Sequence, residues 1–264
     1  MPQPPIITLL TDFGLSDHYV AAMKGVILTR CPDTRLIDIS HEVRPYGIAE
    51  AAFILGQAYS CFPPGSIHMV VVDPGVGSAR RPLLLEADGH RFVGPDNGVL
   101  TLPMDRDARH TVREITATSW FRQPVSRTFH GRDIFAPVAA HLASGVASER
   151  FGTLVLNPVR LNLSPAVRID EKVWQGLTLY IDRFGNLVTN LCLTDIADIA
   201  SEPFEIAIGT AIVSRYHECY SEAQEGVLFA LPGSSGYLEI SINQGDAALA
   251  AGAATGSTTT LRFL

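Results

Sequence analysis

The sequence carries little charge and no long apolar run. Only 18% of its 264 residues are Asp, Glu, Lys or Arg, and 20 basic side chains against 27 acidic ones leave a net charge of −7 with histidine neutral. No broad cationic face is on offer to phosphate backbones or anionic lipid, so nucleic acid and membrane surfaces are poor partners. The longest apolar stretches, such as Ile67 to Val72 and Ala247 to Ala254, fall well short of the roughly 18–20 residues that cross a bilayer. The opening Met-Pro-Gln-Pro-Pro-Ile-Ile-Thr lacks the basic and apolar regions of a secretory signal, which points to the cytoplasm. Cysteine is sparse: Cys31, Cys61, Cys192 and Cys219 lie far apart with no Cys-x-x-Cys pair, a pattern that suits reduced core thiols rather than zinc or dithiol chemistry. No repeat of consistent period, no phosphate-binding P-loop and no Gly-x-Ser-x-Gly elbow occurs.

What is present is ordinary globular material, 47% hydrophobic with 22 Gly and 17 Pro, long enough for two modest domains. Ile6 to Leu10 reads as a buried strand, Ser16 as the opening of a helix that Cys31-Pro32 stops, and Leu36 to Ile39 as a second strand. A helix from about Ile48 to Tyr59 and a third strand, Ile67 to Val72, follow. Strands alternating with helices predict an α/β domain built on a mostly parallel sheet with helices on its faces. Leu83 to Glu86 and Arg91 to Val93 flank Asp88-Gly89 as a hairpin, and a helix is expected from about Ile134 to Ser144. Beyond it only short strand-like runs separated by glycine turns remain, from Leu177 to Leu264, which predicts a smaller all-β C-terminal domain. The boundaries expected are 1–157 for the α/β domain, 158–171 for a linker and 172–264 for the all-β domain.

Asp12, Asp38 and Asp73 stand at or near the carboxyl ends of the first three strands, the edge of an open α/β sheet where ligands bind. Each also suits a turn that caps its own backbone. Asp73-Pro74-Gly75-Val76-Gly77-Ser78-Ala79-Arg80 nearly matches a dinucleotide fingerprint, but Arg80 occupies the third glycine position and a strand follows, so pyrophosphate binding has weak support. Asp73 and Arg80 form either an ion pair pinning a loop or a pair that orients a small polar reactant. His130 sits just ahead of a helix start, where the helix dipole favours neutral imidazole. Asp38, His41, Asp73 and His130 are acceptable metal ligands by type, but no ligand spacing ties them together, and no metal is expected. In the second domain Asp182-Arg183-Phe184-Gly185-Asn186 and Ser234-Ser235-Gly236-Tyr237 are polar turns. An Asp there suits an ammonium, a Phe a ring, an Asn a purine edge, and turn propensity alone explains the first motif almost as well.

Taken in order, Thr11-Asp12-Phe13-Gly14, Ser40-His41-Glu42-Val43, Asp73-Pro74-Gly75-Val76-Gly77 with Arg80, Gly94-Pro95-Asp96-Asn97-Gly98, Phe129-His130-Gly131-Arg132-Asp133, Asp182 to Asn186 and Ser234 to Glu239 resemble the S-adenosyl-L-methionine hydroxide adenosyltransferase family. These are the SAM hydrolases, related to the fluorinase and chlorinase. The resemblance spans nearly the whole chain and implies attack of water or hydroxide on C5′ of SAM, releasing adenosine and L-methionine, with SAM as substrate and no cofactor. It places the family's Asp, Arg and His triad on Asp73, Arg80 and His130. It puts Asp12 on the ribose hydroxyls, Tyr46 against the nucleoside, Asp182 and Ser234 at the methionine amino and carboxylate end with Ser235 beside them, and Phe184 and Asn186 on adenine. It implies a homotrimer, with each site between the first domain of one subunit and the second domain of its neighbour. The fluorinase and chlorinase carry tyrosine where this sequence has Asp73, and the fluorinase carries tyrosine and serine at the positions of His130 and Gly131. A carboxylate beside the nucleophile repels a halide, so halide transfer is the lesser alternative within enzymes, and a SAM- or adenosine-binding module is the alternative outside them.

Overall fold

The computed structural model describes residues 3–163 and 165–264; Met1, Pro2 and Ser164 lie outside the described residues. The chain divides into two compact units, 1–161 and 162–264.

The first unit is built on β1 (Ile6–Thr11), β2 (Arg35–Ser40), β3 (Ile67–Val71), β4 (Pro82–Ala87), β5 (His90–Pro95) and β6 (Thr111–Glu114). They form one sheet in the order β2-β1-β3-β5-β4-β6. The sheet is mixed: β1 pairs in parallel with β2 and β3, and β3 with β5, while β4 runs antiparallel to both β5 and β6. The β4–β5 turn places Asp88 and Gly89 at φ +52 and +75, the left-handed pair that a tight two-residue hairpin demands. Helices α1 (Tyr19–Arg30) and α4 (Ala136–Ala143) bury Met23, Ile27, Val138 and Leu142 against one face of the sheet. The opposite face is covered by α2 (Ile48–Ala58) and α3 (Thr101–Arg106) through Ala51, Leu55, Leu100 and Met104. β3, covered on both faces, is buried at every residue, as its unbroken apolar run requires. Helix α1 starts at Tyr19 rather than Ser16, and its N-cap residue, His18, makes no side-chain capping bond.

The second unit holds β7 (Val167–Asp170), β8 (Val173–Ile181), β9 (Leu187–Cys192), β10 (Phe204–Ile208), β11 (Ala211–Val213), β12 (Leu228–Pro232), β13 (Tyr237–Ile242) and β14 (Thr258–Phe263). These pair antiparallel in the order β11-β10-β14-β8-β9-β13-β12, with β7 on β8. Two expectations are corrected here. The unit is not wholly β, since α5 (Ala247–Ala251) packs Ala247 and Ala251 into its core. The stretch read as linker contains β7, which pairs with β8 and so is part of this unit. Among the described residues no helix is long and apolar enough to cross a membrane.

Candidate active site

Asp73 follows β3 at its carboxyl end, and the chain from there folds back on itself. Val76 N–H donates to the Asp73 carbonyl (3.2 Å), Ser78 N–H to that of Gly75 (3.1 Å), and Arg80 N–H to Ser78 Oγ (3.2 Å). Gly77 makes the reversal possible: its φ is +76, and a Cβ there would stand 2.2 Å from the Arg127 carbonyl oxygen. The turn returns Arg80 onto Asp73. Its Nε donates to both carboxylate oxygens (2.9 and 3.0 Å), and Nη2 donates to Oδ2 as well. The pair is nearly closed off from solvent.

The same Nη2 lies 2.9 Å from His130 Nδ1. A guanidinium has only donors, so Nδ1 is the acceptor and the imidazole proton sits on Nε2. Burial holds the His130 pKa below its ordinary value and the charge of Arg80 lowers it further, against the opposing pull of Asp73 and Asp133. The arginine is thus a wedge between a carboxylate and a neutral imidazole, its guanidinium carbon 5.2 Å from the centre of the Phe135 ring. Its remaining nitrogen, Nη1, is buried and has no hydrogen-bond partner among the described residues. An unpartnered buried donor is costly unless something accepts from it, so Nη1 is the donor of this cluster left open to a further acceptor.

Local sequence explains why His130 stays in place. Gly131–Phe135 is a single π turn running into α4, with His130 at its N-terminus. Pro137, inside the first turn of α4, has no N–H for the carbonyl four residues back, and that carbonyl, of Asp133, accepts from Arg122 N–H instead (2.9 Å). The Asp133 side chain is fully buried and accepts from Arg132, Arg122 and Ser126 N–H. Burial raises its pKa, and these donors more than offset that. Gly131 permits close packing, since a Cβ there would meet Met23 Sδ at 2.9 Å.

Asp12 follows β1, the strand beside β3, so both carboxylates lie at the same sheet edge. Its Oδ2 accepts the backbone N–H of Tyr46 (2.8 Å). Tyr46 is 72% exposed and has φ +66, a left-handed conformation that costs a non-glycine residue energy and gathers at functional sites. Its ring is therefore presented outward.

In the second unit Asp182, Phe184 and Asn186 come together. Asp182 Oδ1 accepts the N–H groups of Phe184 (2.8 Å) and Asn186 (2.9 Å), and Oδ2 accepts from Asn186 Nδ2 (2.9 Å). The turn-forming role is real, leaving only part of this carboxylate's acceptor capacity for a ligand. Gly185, at φ +84, is pressed against Asp246, which in turn caps α5 by accepting from Leu249 N–H (2.8 Å). Together these residues line a pocket of about 590 Å3 with Tyr220, Ile242, Gln244 and Gly245. Phe184 is 77% exposed at its rim and Asn186 is buried.

Two further groups here were given no site role by the sequence reading. Tyr220 donates to Glu239 Oε2 (3.0 Å); burial and the Glu239 charge push its pKa up to about 12. Burial also raises Glu239, with Asp182 adding repulsion against the lowering hydrogen bond from Tyr220. Glu239 closes the Ser234 to Glu239 motif, and inside a strand pattern nothing in the spacing assigns it a role of its own. Ser234 is exposed in the 233–236 turn, and Ser235 Oγ is buried without a hydrogen-bond partner among the described residues.

Family models describe the same two halves. Residues 7–152 match the SAM hydroxide adenosyltransferase N-terminal domain and residues 176–260 the C-terminal domain of that name. The chain belongs to the SAM hydroxide adenosyltransferase family. Its relatives include an (R)-S-adenosyl-L-methionine hydrolase of Thermus thermophilus, 36% identical with 93% of this chain and 95% of the relative covered. One of the same name from Salinispora tropica is 36% identical over 94% of each. A fluorinase of Nocardia brasiliensis is more distant, at 26% identity over 73% of each. Among solved structures, an uncharacterised conserved protein from Thermotoga maritima superposes with a TM-score of 0.90 at 35% identity, covering 97% of this chain and 99% of that one. For this adenosyltransferase-family chain, similarity therefore extends over both units and is greater to the hydrolases named here than to that fluorinase.

Proposed function

We propose that the chain hydrolyses S-adenosyl-L-methionine to adenosine and L-methionine by attack of water or hydroxide on C5′. The observation that carries this reading is the wedge: Arg80 between Asp73 and His130, with its buried Nη1 lacking a partner. Nη1 holds the attacking oxygen. A new O–C5′ bond forms as the C5′–S bond breaks, and the electron pair leaves with sulfur, which becomes the neutral thioether of methionine. The sulfonium is already a good leaving group, so the protein's work is positioning and electrostatics. The guanidinium stabilises hydroxide character on the oxygen. The water proton passes to Asp73, because His130 Nδ1 is engaged by Arg80 and Nε2 already carries a proton.

Asp12 holds the ribose hydroxyls and Tyr46 lies against the nucleoside. Phe184 and Asn186 contact adenine, and Asp182 with Ser234 and Ser235 takes the amino and carboxylate end of methionine. No metal or cofactor enters the reaction, and the enzyme works in the cytoplasm as a homotrimer with sites shared between subunits. A halide-using reaction is disfavoured by Asp73, whose carboxylate opposes an approaching anion. The test is incubation of chelator-treated protein with SAM in oxygen-18 water, with mass spectrometry of both products. Label at the adenosine 5′-oxygen supports C5′ attack by solvent without a metal. SAM bound but unconverted, with chloride present and with metals restored, turns the reading to a binding module.

A further inference from the structure

The turn that carries Asp12 is held by a chain of contacts that the proposed chemistry does not use. His41, in the loop after β2, places Nδ1 2.8 Å from Thr11 Oγ1 and Nε2 3.0 Å from Asp38 Oδ1. Asp38 Oδ2 accepts from Lys24 Nζ on α1 (2.7 Å). His41 Nε2 is buried and sits within ion-pair distance of the Asp38 carboxylate without hydrogen-bond alignment to it, while Nδ1 shares a hydrogen bond with the Thr11 hydroxyl. The hydroxyl also accepts from Phe13 N–H, which donates across 3.3 Å. The contacts run from the backbone of the Asp12 turn through Thr11 and His41 to Asp38.

Burial deepens along the same path. Lys24 and Asp38 are partly exposed, His41 is 4% exposed and Thr11 is fully buried. A surface Lys–Asp pair alone adds little to stability; here it anchors a buried histidine whose orientation a partner of this kind fixes. The His41 loop grips neighbouring positions of the turn three times: through the Thr11 side chain, through Gly14 N–H to the His41 carbonyl (2.8 Å), and through Tyr46 N–H to Asp12 Oδ2. The last contact occupies one carboxylate oxygen and directs the rest of its acceptor capacity outward.

We propose that Thr11, His41 and Asp38 are positioning residues that hold the Asp12 turn and thereby set the protein's preference for a ligand with an intact ribose diol. This rests on the reading of Asp12 as the ribose carboxylate. A hydrogen bond from a hydroxyl to a charged acceptor is sensitive to placement, so loosening the turn weakens the contact with that hydroxyl selectively. The experiment is calorimetric titration of adenosine and 2′-deoxyadenosine into the intact protein and into Thr11→Val, Thr11→Ser and Asp38→Asn, with kcat and KM for SAM measured alongside. The wild-type protein binds adenosine more tightly. Thr11→Val and Asp38→Asn reduce that preference by about tenfold by weakening adenosine while 2′-deoxyadenosine is unchanged, and Thr11→Ser restores it. If Thr11→Val does not fold, Asp38→Asn, on the exposed end of the chain of contacts, decides alone. An unchanged preference in Asp38→Asn, or equal weakening of both nucleosides, overturns the proposal. A wild-type protein indifferent to the 2′-hydroxyl removes the ribose role of Asp12 and the relay with it, whereas selective binding without SAM turnover removes only the hydrolase reading.

Discussion

A guanidinium cannot accept a hydrogen bond, and that fixes the acceptor nitrogen of His130 as Nδ1. The fork reaches both oxygens of Asp73 and His130 Nδ1 at once, which a single ammonium does not reproduce. Arg80→Lys is therefore expected to lower kcat by about 100-fold while KM for SAM stays within a few-fold, since the loss falls on the reacting oxygen rather than on substrate contacts; steady-state kinetics check the split. The pH dependence follows from the same contact. Protonation of His130 places an N–H against Arg80 Nη2, so the active form has neutral imidazole. Burial, then Arg80, hold its pKa below the ordinary value of 6.5. Activity is thus retained as the pH falls through 6.5 and is lost only on reaching the lowered pKa. The acid limb of kcat/KM is expected below pH 6.5, and a limb at or above that value removes the requirement for neutral His130.

At the scale of elements, the π turn leading into α4 depends on Asp133. It has no exposed surface and accepts from two arginines and one backbone N–H. Removing the carboxylate takes the acceptor from Ser126 N–H and from Arg132 and Arg122, whose partly exposed guanidinium groups turn to solvent, a loss on the order of 1–3 kcal/mol. Asp133→Ala is expected to lower unfolding free energy in urea by about that amount, and turnover at a temperature where the variant stays folded falls because His130 is no longer aimed. The elements that the sequence made legible are those with a strong period and a firm stop. β1, α2 and β3 lie within a residue of their expected places, each an apolar run closed by Pro, Gly or a polar turn. The ones it hid are short edge pieces. β7 exposes Val167 and Ile169, so its pattern carries no buried face to read. α3 has Pro103 within six residues, and α5 is five residues of mostly alanine held by an Asp246 cap. The triad was visible only through the ordered motifs, because 7 and 50 residues separate Arg80 from Asp73 and His130 and no local rule spans such gaps. The opposite failure occurred at Asp182, where both the turn-forming and the ligand-binding readings were open and the turn occupies most of the carboxylate.

On the scale of the whole molecule, the candidate residues divide between two units that fold around separate cores. Asp73, Arg80, His130, Asp12 and Tyr46 belong to the first; Asp182, Phe184, Asn186, Ser234 and Ser235 belong to the second. In the proposed reading the units divide the work: the first holds the Asp73–Arg80–His130 cluster, the second a pocket of about 590 Å3 with an exposed aromatic, Phe184, in its lining. In the proposed homotrimer the two halves that meet come from neighbouring chains, and this has a consequence that an all-in-one-chain site does not share. His130→Ala damages only the first unit, and Asn186→Ala only the second. If each site uses the first unit of one chain and the second of the next, trimers co-assembled from the two variants contain some sites in which both halves are intact. Co-expression of the two variants under different affinity tags, with purification through both tags in turn, is expected to yield mixed trimers that hydrolyse SAM well above either parent. In a randomly ordered mixed trimer, one of the three junctions joins the intact first unit to the intact second unit, so about one third of wild-type turnover is the expected recovery. Were every site contained in one chain, each chain in the mixture would carry a defect in its own site, and activity would stay at the level of the parents.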